Sequence, residues 1–251
     1  MKRLDGLTSL ITGSNRGIGA GVARAFASEG ANVIVNYPNK SSKSEALVLK
    51  DELESHKVKS IAIEADVSDP LAVKNMVSIA QDQFTNIDIL VNNAGIAAAA
   101  PVEDIDVDTW DQVISVHLKG TFLTSKYVLP NMYKRGKGKI INTASQLAYL
   151  GAAGFAHYTA AKGAIVTFTR TVALEAAPKG VNVNAVAPGA TKTAMLEDVP
   201  EDILEGIRQA IPLGRLAEIS DIIPSYVFLA SNDSDHYIGQ VISPNGGDMF
   251  L

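Results

Sequence analysis

The chain has 251 residues, 47% of them hydrophobic and 20% charged, with a formal net charge of −5 and no cysteine. That composition can fill a sizeable core and excludes a disordered chain. The acidic balance offers no global attraction for nucleic acid or an anionic membrane, and the lack of cysteine excludes disulfides and thiolate metal sites; no metal site is expected. No apolar run reaches the ~18 residues a membrane span needs. The stretch Met1–Leu7 has no signal-peptide pattern, so the expectation is a soluble, cytoplasmic protein. No repeat, long linker or low-complexity segment marks a boundary, and residues 1–251 are expected to form one domain.

Leu7–Ile11 reads as a buried strand, followed by Thr12-Gly13-Ser14-Asn15-Arg16-Gly17-Ile18-Gly19 and a helix to about Glu29. In a strand–turn–helix context such glycines let backbone N–H groups approach a pyrophosphate, and the helix N-terminus favours its charge. Ala31–Asn36 is a second strand, and Asn36, Tyr37 and the residues to Lys43 lie where an adenosine ribose would sit. An acidic residue at this strand end usually marks NAD. None occurs between Asn32 and Ser44; Arg16, Lys40, Lys43 and two serines suit a 2′-phosphate, so NADP is expected.

A helix from about Ser44 to Lys57 precedes a strand, Ser60–Glu64, that ends in Asp66-Val67. Ser68-Asp69-Pro70 opens a helix to about Phe84. Asp88–Asn92 is a fourth strand, closing on Asn92-Asn93-Ala94-Gly95. Strict strand–helix alternation predicts an α/β doubly wound parallel sheet with right-handed crossovers and helices on both faces. Ligand then lies beyond the carboxyl ends of the strands.

A long helix is expected from Thr109 to about Lys134, a strand at Lys137–Asn142 followed by Thr143-Ala144-Ser145, and a helix from Phe155 to Ala177. Val181–Val186 runs into Pro188-Gly189-Ala190-Thr191-Lys192-Thr193, again on the ligand edge. An irregular helical excursion from about Ala194 to Arg215, within a substrate loop of about 190–215, has the character of a mobile lid. A helix at Ile219–Ala230 and a strand near Gln240–Ser243 complete the sheet.

Tyr158 and Lys162 are four residues apart, on one face of their helix. A phenol titrates near ~10; an ammonium beside it favours the phenolate and is expected to lower that value. Such a pair suits proton exchange with a substrate oxygen. Taken alone, Tyr-x-x-x-Lys also describes a half-buried tyrosine beside a solvated lysine. Ser145, just past the preceding strand, can converge on the same pocket and hold a carbonyl oxygen.

The glycine turn, Asp66-Val67, Asn92–Gly95, Ser145, Tyr158-x-x-x-Lys162 and Pro188-Gly189 with Thr193 occur in one order at matching spacing. In these motifs, over nearly its whole length, the chain resembles the short-chain dehydrogenase/reductase family, with the 3-oxoacyl-carrier-protein reductases the nearest subgroup. The resemblance implies a Rossmann sheet of about seven strands ordered 3-2-1-4-5-6-7, a nicotinamide cofactor and a homotetramer. It implies that Ser145, Tyr158 and Lys162 are catalytic, that Lys162 also binds ribose hydroxyls, and that Asp66 contacts adenine. It further implies that Asn93, Ala94 and Gly95 shape the cofactor site, that Thr193 holds the nicotinamide amide, and that Arg16 marks an NADP preference. Gly13, Asn15, Gly17, Ile18, Gly19, Val67, Pro188, Gly189 and Thr191 join the expected cofactor contacts.

One position departs from the family pattern. Where a catalytic asparagine is usual, the text reads Val116-His117-Leu118-Lys119-Gly120. The family role is to fix a water joining the lysine to solvent through a helix carbonyl. His117 keeps the carbonyl and adds an ionisable ring, so the expectation is a relay with His117 in it, against a purely structural substitution.

Members that dock an acidic carrier protein use arginines on two long helices; here Pro130 and Leu174 stand at those places, with Lys134, Arg135 and Lys137 displaced. The expected reaction is therefore NADPH-dependent reduction of a small free ketone to a secondary alcohol. The alternatives are 3-oxoacyl-carrier-protein reduction and, in another class, a nucleotide-binding regulatory protein without turnover. Gln146, Leu147, Tyr149, Leu150, His157, Met195 and Leu196 are candidate pocket residues, and the apolar end Asp248–Leu251 could be buried at a subunit contact.

Overall fold

In a computed structural model, residues 2–196 and 199–250 of the chain are described. Expectations that reach Met1, Glu197, Asp198 or Leu251 lie outside the described residues at those positions.

The first half alternates without interruption: β1 (Thr8–Ile11), α1 (Gly17–Ser28), β2 (Asn32–Tyr37), α2 (Lys43–Glu54), β3 (Ser60–Glu64), α3 (Pro70–Phe84) and β4 (Ile89–Asn92). α3 begins where the sequence signals it: the Asp69 carboxylate accepts the N–H of Leu71 and Ala72, and Pro70 needs no partner in the first turn. The second half runs α4 (Val107–Ile114), α5 (Gly120–Arg135), β5 (Gly138–Thr143), α6 (Leu147–Leu150), α7 (Ala156–Ala176), β6 (Val181–Val186), α8 (Glu201–Ala210), α9 (Ile219–Ala230) and β7 (Val241–Ile242). All seven strands are parallel, in the order β3-β2-β1-β4-β5-β6-β7. The expected architecture and strand order are both found.

The long helix expected from Thr109 to Lys134 departs from regularity. Ser115–Lys119, between α4 and α5, is a π-helical turn carrying His117. The extra residue in such a turn re-aims side chains, which places irregular hydrogen bonding beside functional groups. Nor did the sequence signal α6, a single turn just after Ser145.

Alternating strand residues serve opposite faces. Ile11, Val35 and Ile141 pack with Val22 and Phe26 of α1 and Ile222 and Tyr226 of α9. Leu10, Ile34 and Ile140 pack with Met76 of α3, Leu123 of α5 and Val172 of α7. Each such side chain, taken out of water, contributes roughly 1.5–3 kcal/mol.

A buried polar ladder fixes the register of the central strands where they approach the ligand edge. Asn92 Nδ2 donates to Asn142 Oδ1 at 2.8 Å, the Thr124 hydroxyl donates to Asn92 Oδ1, and Asn142 Nδ2 donates to Thr169 Oγ1 at 2.9 Å. Replacing one member strands the others without water. Asn142→Leu is expected to destabilise the fold by about 2–4 kcal/mol, read as a fall in Tm of roughly 5–15 °C. A Tm within experimental error of the parent would show that the ladder does not restrain β4 against β5.

Candidate active site

The glycine turn lies where β1 enters α1, and the structure around it is closed to larger side chains. A Cβ on Gly13 would sit 2.8 Å from Ala94 Cα; one on Gly19 would lie 2.6 Å from Asn93 Nδ2 and from Gly13 O. Asn93 Nδ2 donates to the carbonyls of Thr12 and Gly13, and the Thr12 hydroxyl accepts the N–H of Asn93 and of Ala94. Arg16, extended and exposed, begins α1 with no side-chain cap. A helix N-terminus with that opening and no Cβ in the way fits a pyrophosphate.

Across from it, Thr193 Cγ2 lies 3.9 Å from the Cβ position of Gly17. Pro188 O accepts the N–H of Gln146, and Thr191 Oγ1 donates to Gly189 O at 2.8 Å. On the adenosine side, Asn36 is consumed internally: its Oδ1 accepts the Gly13 N–H and its Nδ2 donates to Ala65 O. Tyr37 is buried, and burial raises its phenol. Asp66 is exposed and accepts the N–H and hydroxyl of Ser68; Val67 is buried against Gly120. Lys40, Ser41 and Lys43 are exposed, as is Arg16. The structure adds Glu45, just past the segment read for acidic residues, which accepts from Asn15 Nδ2 at 2.8 Å. Fold contact alone reveals that pairing.

At the carboxyl end of β5 the catalytic candidates converge. Ser145 is buried and its Oγ accepts the Leu147 N–H. Tyr158 comes from the start of α7, and Lys162 Nζ lies 5.5 Å from its ring centroid. His117 meets Tyr158 edge to face, with centroids 5.3 Å apart and planes at 84°. The turn and this cluster are continuous: Gly13 abuts Ala94, and a Cβ on Gly95 would fall 2.5 Å from His117 Cε1. Glycine at 95 is thus the condition for the imidazole's place.

The electrostatics differ from the sequence expectation. Burial holds the Tyr158 phenol above its ordinary range, with the Ser145 hydroxyl pulling the other way. Lys162 does not reverse this, because its ammonium donates to the Thr143 carbonyl at 2.6 Å and burial pushes it down to about 7. The expected lowering of the phenol by its cationic neighbour is therefore corrected: desolvation of both groups outweighs their attraction.

The His117 ring is held neutral as well. Burial pushes it down to about 3, Lys162 acting in the same direction and the Ile96 hydrogen bond opposing. Its Nε2 lies 2.7 Å from Ile96 O and 3.1 Å from Ile96 N. Its carbonyl accepts both the Gly120 N–H and the Thr121 hydroxyl, the latter at 2.7 Å. The ring is thus neutral at physiological pH and the carbonyl is engaged within its own helix.

Of the pocket candidates, Tyr149, Leu150 and Met195 are exposed and Leu147 and Leu196 are half-buried near the site. Gln146 is buried, its amide donating to Asp248 Oδ2 at 2.6 Å, a tether from the C-terminal segment that no sequence signal announced. His157 is fully buried. A recess of about 300 Å³, lined by Leu7, Asp88 and Lys139, lies at the opposite ends of the strands.

The family described as enoyl-(acyl carrier protein) reductase matches residues 13–248. The 3-oxoacyl-[acyl-carrier-protein] reductase FabG of Staphylococcus epidermidis is 39% identical over 240 residues, covering 96% of this chain and 98% of the relative. The 3-oxoacyl-[acyl-carrier-protein] reductase of Synechocystis sp. is 38% identical over 248 residues, covering 98% of each. A crystal structure of a protein designated a short-chain alcohol dehydrogenase, from Sinorhizobium meliloti 1021, superposes with a TM-score of 0.93 at 33% identity, covering 98% of this chain and 97% of that one. The chain belongs to the short-chain dehydrogenase/reductase family.

The buried imidazole predicts a pH dependence of stability. Below its ordinary value of 6.5 the unfolded ring takes up a proton that the folded ring, at about 3, refuses. Its contribution is therefore full above 6.5 and is lost progressively as the pH falls toward 3. His117→Asn is expected to flatten the fall of Tm across that window in thermal unfolding. An unchanged slope would mean the ring is protonated in the folded protein.

Proposed function

We propose that the chain reduces a small ketone to a secondary alcohol with NADPH, Tyr158 giving the proton to the substrate oxygen. The carrying observation is the convergence of Ser145, Tyr158 and Lys162 at one strand edge, continuous with the glycine turn. The chain is an NADP-dependent oxidoreductase acting on carbonyl and hydroxyl groups.

Gly13, Gly17, Ile18 and Gly19 would hold the pyrophosphate, and Arg16, with Lys40 and Lys43, would bind the 2′-phosphate. Asn93, Ala94 and Gly95 would shape the cofactor site, Asp66 and Val67 would contact the adenine, and Pro188, Gly189, Thr191 and Thr193 would hold the nicotinamide end. Bound there, the nicotinamide supplies the hydride. Ser145 holds the substrate carbonyl by a neutral hydrogen bond. Tyr158, kept protonated by burial, is in the form a reduction requires of its acid. Lys162 would hold the ribose hydroxyls and, as an ammonium pushed down to about 7 by burial, replaces the proton that Tyr158 gives up. His117 holds the Tyr158 ring by its edge contact rather than by ionising.

A second reading, reduction of a 3-oxoacyl thioester on a carrier protein, has the support of the relatives' names. Against it, Leu174 is exposed and apolar where a basic contact is expected, and Arg135 is committed to Asp88. We place the protein in the cytoplasm as a single domain, its segment at about 190–215 acting as substrate loop. Exposed Phe122 on α5 and Leu174 on α7 support association of copies into a homotetramer.

Following NADPH absorbance with a panel of ketones tests the reading. Tyr158→Phe is expected to lower kcat by at least about a thousandfold, toward the upper range of general-acid effects, with NADPH binding nearly intact. Turnover by that variant near the parent rate would remove Tyr158 from the chemistry. A carrier thioester turned over far faster than any simple ketone would decide for the second reading. A strong preference for NADH would overturn the roles given to Arg16, Lys40 and Lys43.

A further inference from the structure

Thr143, the last residue of β5, is where the two faces of the sheet meet beneath the catalytic cluster. Its carbonyl accepts the Lys162 ammonium at 2.6 Å, from α7 on one face. Its side chain, on the Ile141 side by strand alternation, reaches the other face. There Oγ1 lies 2.8 Å from the hydroxyl of Tyr226 on α9. Tyr226 is fully buried and is a member of the core formed with α1. Among the described residues its hydroxyl has that single partner, in a setting where an unpaired one is costly. Burial holds the phenol above the usual range, and the neighbouring Tyr158 adds to the effect.

The start of α9 is strapped to the nicotinamide side of the site. Lys192 N–H donates to Ala217 O and Ala217 N–H to Ala190 O, each at 2.9 Å. Glu218 and Asp221 then form a reciprocal cap at the head of α9, with Arg215 paired to Asp221. α9 is thus a bar tied at its head to the Ala190–Lys192 segment and, two turns on, to the residue that holds Lys162.

We infer that Tyr226 is a positioning residue for the reaction, fixing Thr143 so that its carbonyl sets the place of the Lys162 ammonium. The inference rests on the reductase reading above. Tyr226 touches neither substrate nor cofactor in this account. It acts through Thr143, whose carbonyl is the one acceptor recorded for a buried ammonium that has no carboxylate partner among the described residues. Displacing that carbonyl displaces both the proton donor to Tyr158 and the ligand for the ribose hydroxyls.

Tyr226→Phe tests this, because it keeps the ring in the core and removes one oxygen. Against an active parent, kcat is expected to fall about three- to tenfold, the worth of one neutral hydrogen bond, and KM for NADPH to rise. In the free protein, the 13Cε resonance of Lys162 is expected to move and to titrate at a different pH. Thr143→Val should give the same loss, and Thr143→Ser should restore most of it. In a Lys162→Met background, Tyr226→Phe should leave NADPH affinity, read by fluorescence, unchanged; full additivity there would overturn the coupling. A Tyr226→Phe enzyme with a lowered Tm but parental kcat, KM and Lys162 titration would reduce Tyr226 to core filling and overturn the proposal alone. A parent that reduces no ketone would overturn the reductase reading, and this role with it.

Discussion

A lysine ammonium buried without a carboxylate partner among the described residues is the constraint around which this site is built. Lys162 enters the protein interior from α7 and is held by a backbone carbonyl, Thr143 O. An isolated buried charge is strongly disfavoured, so its proton is held loosely, at about 7. The same desolvation keeps Tyr158 protonated. One physical cause, exclusion of water, thus keeps the phenol protonated beside an ammonium that holds its own proton loosely near neutral pH.

Close approach of backbone segments makes this exclusion possible. Gly13 lets the turn touch Ala94, Gly95 lets the next segment touch His117, and His117 meets the edge of Tyr158. The π-turn carrying His117 interrupts a helix that would otherwise run on, and the imidazole bonds back to Ile96. Glycine turn and tyrosine therefore belong to one packed unit. A displacement at the glycine turn has a direct steric route to the phenol.

Much of the fold was legible in the sequence because period and punctuation agreed. β3 and α3 fall on their expected residues, Ser60–Glu64 and Pro70–Phe84, since alternation marks one and Asp69-Pro70 the other. The strand order followed from resemblance and was found. The single turn of α6, in a stretch read as neither strand nor helix, and the π-turn, inside a stretch read as one continuous helix, were not legible: both answer to contacts across the fold. Glu45 against Asn15, and Asp248 against Gln146, join residues far apart in the chain that no local pattern pairs.

The sequence alone determined the alternating sheet, the glycine turn, the family, and the Tyr158-x-x-x-Lys162 pairing on one helix face, because these depend on residue types at fixed spacing. Tertiary structure decided the charge states. Four residues of separation predict that an ammonium stands near a phenol, but depth of burial is set by the Ser115–Lys119 π-turn, α7 and the Asn92–Ile96 segment together. That depth reversed the expected direction for Tyr158 and made His117 a neutral wedge. It also joined Thr143 to Tyr226 from opposite faces of the sheet, a contact between residues 83 positions apart. Spacing is local and can be read along a chain; desolvation belongs to the packed whole.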